Sequence, residues 1–102
     1  MRLKPLGIVK EIIESIGIGI SYAYDDLVFV DHNAFLFQFT HKSNEIALHV
    51  NRDADEKEVA HSINLMNNAA AERGMAIKDG KYYALVQVDD ENVRLEFLEN
   101  NN

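Results

Sequence analysis

Residues 53–74, DADEKEVAHSINLMNNAAAERG, carry the one long helical pattern in the chain, and the segments on either side of them read mainly as β-strand. Asp53 and Asp55 both suit an N-cap, where a short acceptor side chain satisfies a free backbone N–H. Glu56 and Glu58 follow them at the spacing of an acidic capping box, and the acids favour the positive end of the helix dipole. Arg73 and Gly74 close the segment, with glycine where a left-handed residue is wanted. Between the caps, Val59, Ile63, Met66 and Ala70 recur at helical spacing and form one apolar stripe. His61, Asn64, Asn68 and Glu72 fall opposite. Leu65 and Ala69 lie on a shoulder between the two faces. With the neighbouring Asn68, they are the candidate contacts for a partner. Asn67 and Asn68 are poor mid-helix residues, because Asn competes for the backbone, and they mark a solvated or polar-binding face.

Upstream, residues 3–16 predict a first helix, with Leu6, Val9, Ile12, Ile13 and Ile16 on its apolar side and Gly17 as its stop. Pro5 is tolerated in a first turn. The period then changes to two. Ile18, Ile20, Tyr22 and Tyr24 alternate with Gly19, Ser21 and Ala23, giving a strand with one bulky and one small face. Asp25-Asp26 and residues 31–33 are turns around a short apolar strand at 27–30. Phe35, Phe37 and Phe39 align on one face of a third strand and bring a large apolar area to a core. After a polar turn at 41–45, Ile46, Leu48 and Val50 alternate with Ala47 and His49. These four strands leave no room for crossover helices, so they predict an antiparallel meander.

Downstream of the long helix, a brief strand at 75–78, a turn at Asp79-Gly80, and strands at 82–88 and 93–98 are expected. The predicted fold class is α+β, in the order α-ββββ-α-(β)ββ. It is an antiparallel sheet of about six strands, a four-strand meander then a C-terminal hairpin, with both helices mainly on one face. Residues 1–98 form a single domain, and residues 99–102 a frayed tail. Two helices cannot easily cover every apolar strand face. Tyr22, Leu36, Tyr83 and Leu98 are left needing cover, which a homodimer would supply.

Composition narrows the function. A chain of 102 residues is one domain with a real core. The formal net charge is −7, with −2 in the first half and −5 in the second. An acidic surface repels phosphate backbones, which argues against nucleic-acid binding, and it suits solubility or a basic partner. The absence of cysteine excludes disulfides and zinc–thiolate sites and fits a reducing cytoplasm. The N-terminus, interrupted by Lys10 and Glu11, is not a signal peptide, and no window approaches a membrane span.

Chemical motifs are sparse. His32, His41, His49 and His61 are nine, eight and twelve residues apart, without the helical i, i+4 pairing of a metal site. Helix capping accounts for Asp53, Asp55, Glu56 and Glu58, and the glycine of a calcium loop is missing. Gly17 and Gly19 follow a helix rather than a strand, unlike a dinucleotide loop. No serine sits in a nucleophile elbow. The aligned phenylalanines lack the basic neighbours of an RNA-binding sheet. No catalytic residue, metal or cofactor is assigned.

The order helix, meander, helix, hairpin is similar to that of bacterial type III secretion chaperones, and the resemblance implies a small acidic homodimer. The chain departs from it by an extra strand and by lacking the final helix. Small size, an acidic surface and more apolar sheet than two helices easily cover give the expected function: a non-enzymatic protein–protein interaction module, adaptor or chaperone-like, that self-associates or takes a basic or apolar protein partner. The alternative is a small-ligand-binding domain or minor enzyme. Its pocket would lie between the central helix and the sheet, with Tyr22, Tyr24, His49 and Tyr83 as the residues to watch.

Overall fold

The computed structural model describes residues 6–31 and 34–98. Along the chain run α1 (Leu6–Ser15), β1 (Ile20–Tyr24), β2 (Leu27–Val30), β3 (Phe35–Phe39), β4 (Glu45–Asn51), α2 (Glu56–Glu72), β5 (Ala76–Gln87) and β6 (Val93–Leu98). The expected start of α1 at residue 3, part of the 31–33 turn and the tail at 99–102 lie outside the described residues.

Of the two candidate caps on α2, Asp55 is the one used. Its carboxylate accepts from the N–H groups of Lys57 at 2.9 Å and Glu58 at 3.2 Å, satisfying two of the donors that a helix start leaves over. At the other end Arg73 donates from Nη1 to the carbonyl of Ala69 at 3.0 Å. Gly74 then takes φ 74°, which turns the chain into β5.

The six strands form one sheet in the order β1-β2-β3-β4-β5-β6. The meander β1 to β4 and the pair β5–β6 are antiparallel, but β4 and β5 are parallel. The sheet is therefore mixed, which corrects the all-antiparallel expectation. The reason is one of length. Seventeen helical residues rise about 25 Å, and the seven residues of β4 extend about 23 Å. Helix α2 thus returns the chain to the start of β4, where the N–H of Ala76 donates to the carbonyl of Asn44 at 2.8 Å. A strand laid beside β4 from that point must run parallel to it.

A second correction concerns Asp79-Gly80. These residues make no turn. They lie inside the continuous strand β5, where the register against β4 shifts between Leu48 and Val50. A third concerns β1. The register against β2 also shifts, between Ile20 and Tyr22. Ser21 is the extra residue of this bulge, and it turns the strand over. Ile20 pairs with Val30 on the helix side, whereas Tyr22 and Tyr24 pair with Phe29 and Leu27 on the other side. The expected bulky face of β1 is thereby divided between the two sides of the sheet.

Both helices contribute to one core cluster. Val9, Ile12 and Ile13 of α1 and Val59, Met66, Ala69 and Ala70 of α2 pack with Val28, Val30, Phe35, Phe37, Ile46 and Leu48. Leu6 and Ile8 are exposed on α1, so its buried side is narrower than its apolar content suggests. On the face away from this cluster, Leu36, Ala47, His49 and Tyr83 are nevertheless buried. The sheet curls and brings Phe97 of β6 onto His49, with ring centroids 4.7 Å apart. Part of the second face thus finds its cover within the chain.

Candidate functional site

Two features on the second face of the sheet concentrate the polar and aromatic groups. The first is built on the β5 bulge. His49 projects from β4 away from Leu48 and Val50, and Gly80 stands opposite it. A Cβ on Gly80 would collide with the imidazole and lie 2.7 Å from the carbonyl oxygen of Leu48. The ring therefore occupies the space that a side chain at position 80 would need. His49 Nδ1 accepts from the backbone N–H of Lys81 at 2.9 Å. A backbone N–H can only donate, so Nδ1 is unprotonated and Nε2 carries the proton. Nε2–H then donates to Gln38 Oε1 at 2.9 Å, and Gln38 Nε2 donates to the Asp26 carboxylate at 2.8 Å. Every donor along this line meets an acceptor. Burial holds the imidazole pKa below its usual value, the Lys81 ammonium adds to the effect, and Asp26 opposes it. Beside it, burial pushes the Tyr83 phenol up to about 12, against a hydrogen bond with Asn51.

The second feature is an aromatic row on β1. Tyr22 and Tyr24 stack with centroids 6.3 Å apart and planes 8° from parallel. Tyr22 also meets Phe29 at 6.1 Å. They are 58% and 63% exposed, the most exposed large hydrophobic side chains of the described residues.

Two open clefts lie on the helix side. One, of about 630 Å³, runs between the first half of α2 and the β4–β5 junction, with Val50, Val59 and Ile63 on its floor and Arg52, Lys81 and Tyr82 at its rim. The other, of about 340 Å³, lies beside the start of α2 against Phe35 and Asn51. The four residues singled out for a helix–sheet pocket do not line either cleft. Tyr22, Tyr24, His49 and Tyr83 all project from the far face of the sheet. The alternation of His49 against Leu48 and Val50 signals this for one of them, and the Ser21 bulge hides it for Tyr22 and Tyr24. Tyr82, the neighbour of the residue singled out, is the tyrosine that lines the larger cleft.

The shoulder of α2 is divided as well. Leu65 is 39% exposed and Asn68 is exposed, but Ala69 is 8% exposed and belongs to the core. The buried arc of α2 is thus wider than the Val59–Met66–Ala70 line, and it leaves Leu65 alone at the rim. Leu65→Glu is expected to leave the fold intact. A surface change of this kind costs within about 0.5 kcal/mol, or no more than about 4 °C in Tm for a domain of this size. Thermal unfolding followed by circular dichroism checks it, and a fall of about 10 °C, well beyond that range, would place Leu65 in the core.

Among the described residues, no three His, Asp or Glu side chains are gathered to hold a metal ion, and no helix is long and apolar enough to cross a membrane. Comparison with protein-family models, with curated proteins and with solved structures found no match for the chain.

Proposed function

We propose that this protein is a small protein–protein interaction module that works as a homodimer and meets its partner through the face of the sheet away from the helices. The observation that carries this is the uncovered aromatic row of Tyr22 and Tyr24 on the first strand. Exposed aromatic groups that touch each other but nothing above them favour association, because they offer apolar area at little cost in side-chain entropy. The acidic chain suits a basic partner for the dimer, and the absence of cysteine supports a cytoplasmic setting. Native mass spectrometry of the untagged protein from its own host tests the reading. A mass twice the 11.6 kDa chain, or a stoichiometric protein partner, is expected. A second reading, a small-ligand-binding domain, is favoured by the larger cleft, where an apolar floor meets charged residues at the rim. A monomer carrying a small bound mass would replace the first reading with this one.

A further inference from the structure

The sheet has two edges, and they are built differently. Strand β6 carries Arg94 and Glu96, which pair at 2.7 Å along its length, and charge on an edge strand discourages pairing with another chain. Strand β1, ISYAY, carries no charge and no proline. Among the described residues it has a neighbour on one side only. In a chain of net charge −7, an uncharged strand is where two like-charged copies can approach with least repulsion.

We propose that β1 pairs antiparallel with β1 of a second copy about a twofold axis at Ala23, joining two sheets edge to edge; this rests on the homodimer reading above. The local sequence is self-complementary about that axis. Tyr22 of one copy falls opposite Tyr24 of the second, and Tyr24 opposite Tyr22, as an isologous contact requires. All four rings then share one face, and the stacked pair already present in each copy becomes half of a four-ring cluster. The Ser21 bulge ends the regular segment at one side and the turn at Asp25, with φ 56°, ends it at the other. The shared ladder is therefore short. Four tyrosines burying about 150–250 Å² each give at most about 1,000 Å², at the low end of specific interfaces. The dimer is accordingly weak and concentration-dependent rather than obligate. A second copy fits this edge better than a charged peptide, because no residue of β1 itself is charged.

The register is tested by charge placement, with sedimentation equilibrium as the readout. Tyr22→Lys combined with Tyr24→Lys places like charges opposite each other across the axis. It should keep the protein monomeric to at least about tenfold above the concentration at which the wild type dimerises, the effect of about 1.4 kcal/mol of repulsion. Tyr22→Lys combined with Tyr24→Glu places the lysine at position 22 of each copy opposite the glutamate at position 24 of the other. Two attractive pairs then form across the axis, and this variant should dimerise at a lower concentration than the Lys/Lys variant, though less readily than the wild type, which keeps its four rings. Both positions are more than half exposed, and circular dichroism verifies that each variant is folded. If the Lys/Glu variant is no better a dimer than the Lys/Lys variant, the proposed register is overturned, since parallel pairing would set the two position-22 lysines against each other. If the Lys/Lys variant dimerises like the wild type, the β1 edge is not the interface and the proposal fails, while the homodimer reading stands on another surface. A wild type that is monomeric at every concentration overturns the homodimer reading itself.

Discussion

Replacing Met66 with glutamate should unfold the protein at neutral pH. Met66 is fully buried at the centre of the cluster that joins both helices to Phe35, Phe37 and Ile46. The substitution removes about 1.5–3 kcal/mol of side-chain burial. It also leaves a carboxylate among apolar side chains, and an unpaired charge in such a place is neutralised rather than tolerated. Holding it protonated at pH 7, from an ordinary pKa of about 4.3, costs about 3.7 kcal/mol. Together these come to about 5–7 kcal/mol, which matches the whole stability of a domain at the lower end of the usual range of about 5–15 kcal/mol. The expected result is loss of the far-ultraviolet helical signal and of amide dispersion at pH 7, with partial recovery near pH 4, about the carboxyl's ordinary pKa. Met66→Leu, which keeps the volume, should cost less than about 1.5 kcal/mol. A folded Met66→Glu protein at neutral pH would mean that α2 presents a different side to the sheet.

That prediction draws on the part of the chain in which sequence speaks most directly. One 3.6-residue stripe on a capped helix tells which way α2 faces, because a helix of this length must bury one side. The meander is legible for a similar reason: short turns can join only antiparallel neighbours. The parallel pair escapes the pattern of turns and periods, although its sign is present. Helix α2 is about as long as β4, and a helix of that length between adjacent strands brings the chain back to its starting end. The bulges at Ser21 and Gly80 are hidden for another reason. A bulge adds one residue to a strand without altering its composition, yet it exchanges the two faces beyond it. So strict alternation puts Tyr22 and Tyr24 on the side of Ile20, and the pair Asp79-Gly80 reads as a turn. The one hint is a glycine inside an otherwise bulky strand, which marks a close approach as readily as a bend. Nothing in the sequence places His49 in that gap, since the meeting of residues 49 and 80 depends on the parallel register.

Gly80→Ala should destabilise the protein far more than its size suggests, and His49 should be the reason. The added methyl has nowhere to go: the imidazole lies in its path and the Leu48 carbonyl oxygen is 2.7 Å away. Forcing an atom into filled space costs about 1–3 kcal/mol. Displacing the ring also breaks its bonds to the Lys81 N–H and to Gln38, and groups left unsatisfied cost about 1–3 kcal/mol each. A loss of about 3–5 kcal/mol is expected, a fall in Tm of at least about 12 °C. His49→Ala should be damaging alone, but combined with Gly80→Ala it should cost less than the two separately, because the methyl then fills part of the space that the ring vacates. Strict additivity would show that ring and bulge do not depend on each other. The pH dependence follows from the same geometry. A proton on Nδ1 would set one donor against another at Lys81, and burial already disfavours the charged ring. The folded-state pKa is lowered, so the unfolded chain binds the proton more readily, and stability rises with pH. His49 therefore contributes fully above the unfolded value of about 6.5. Its contribution declines below that, at up to about 1.4 kcal/mol per pH unit, until the folded-state pKa is reached. Urea titrations between about pH 7.5 and 5.5, which bracket that unfolded value, should give a shallower slope for His49→Gln than for the wild type. Equal slopes would mean that His49 is as free to charge in the folded chain as in the unfolded one, which the closed line from Lys81 through His49 and Gln38 to Asp26 does not permit.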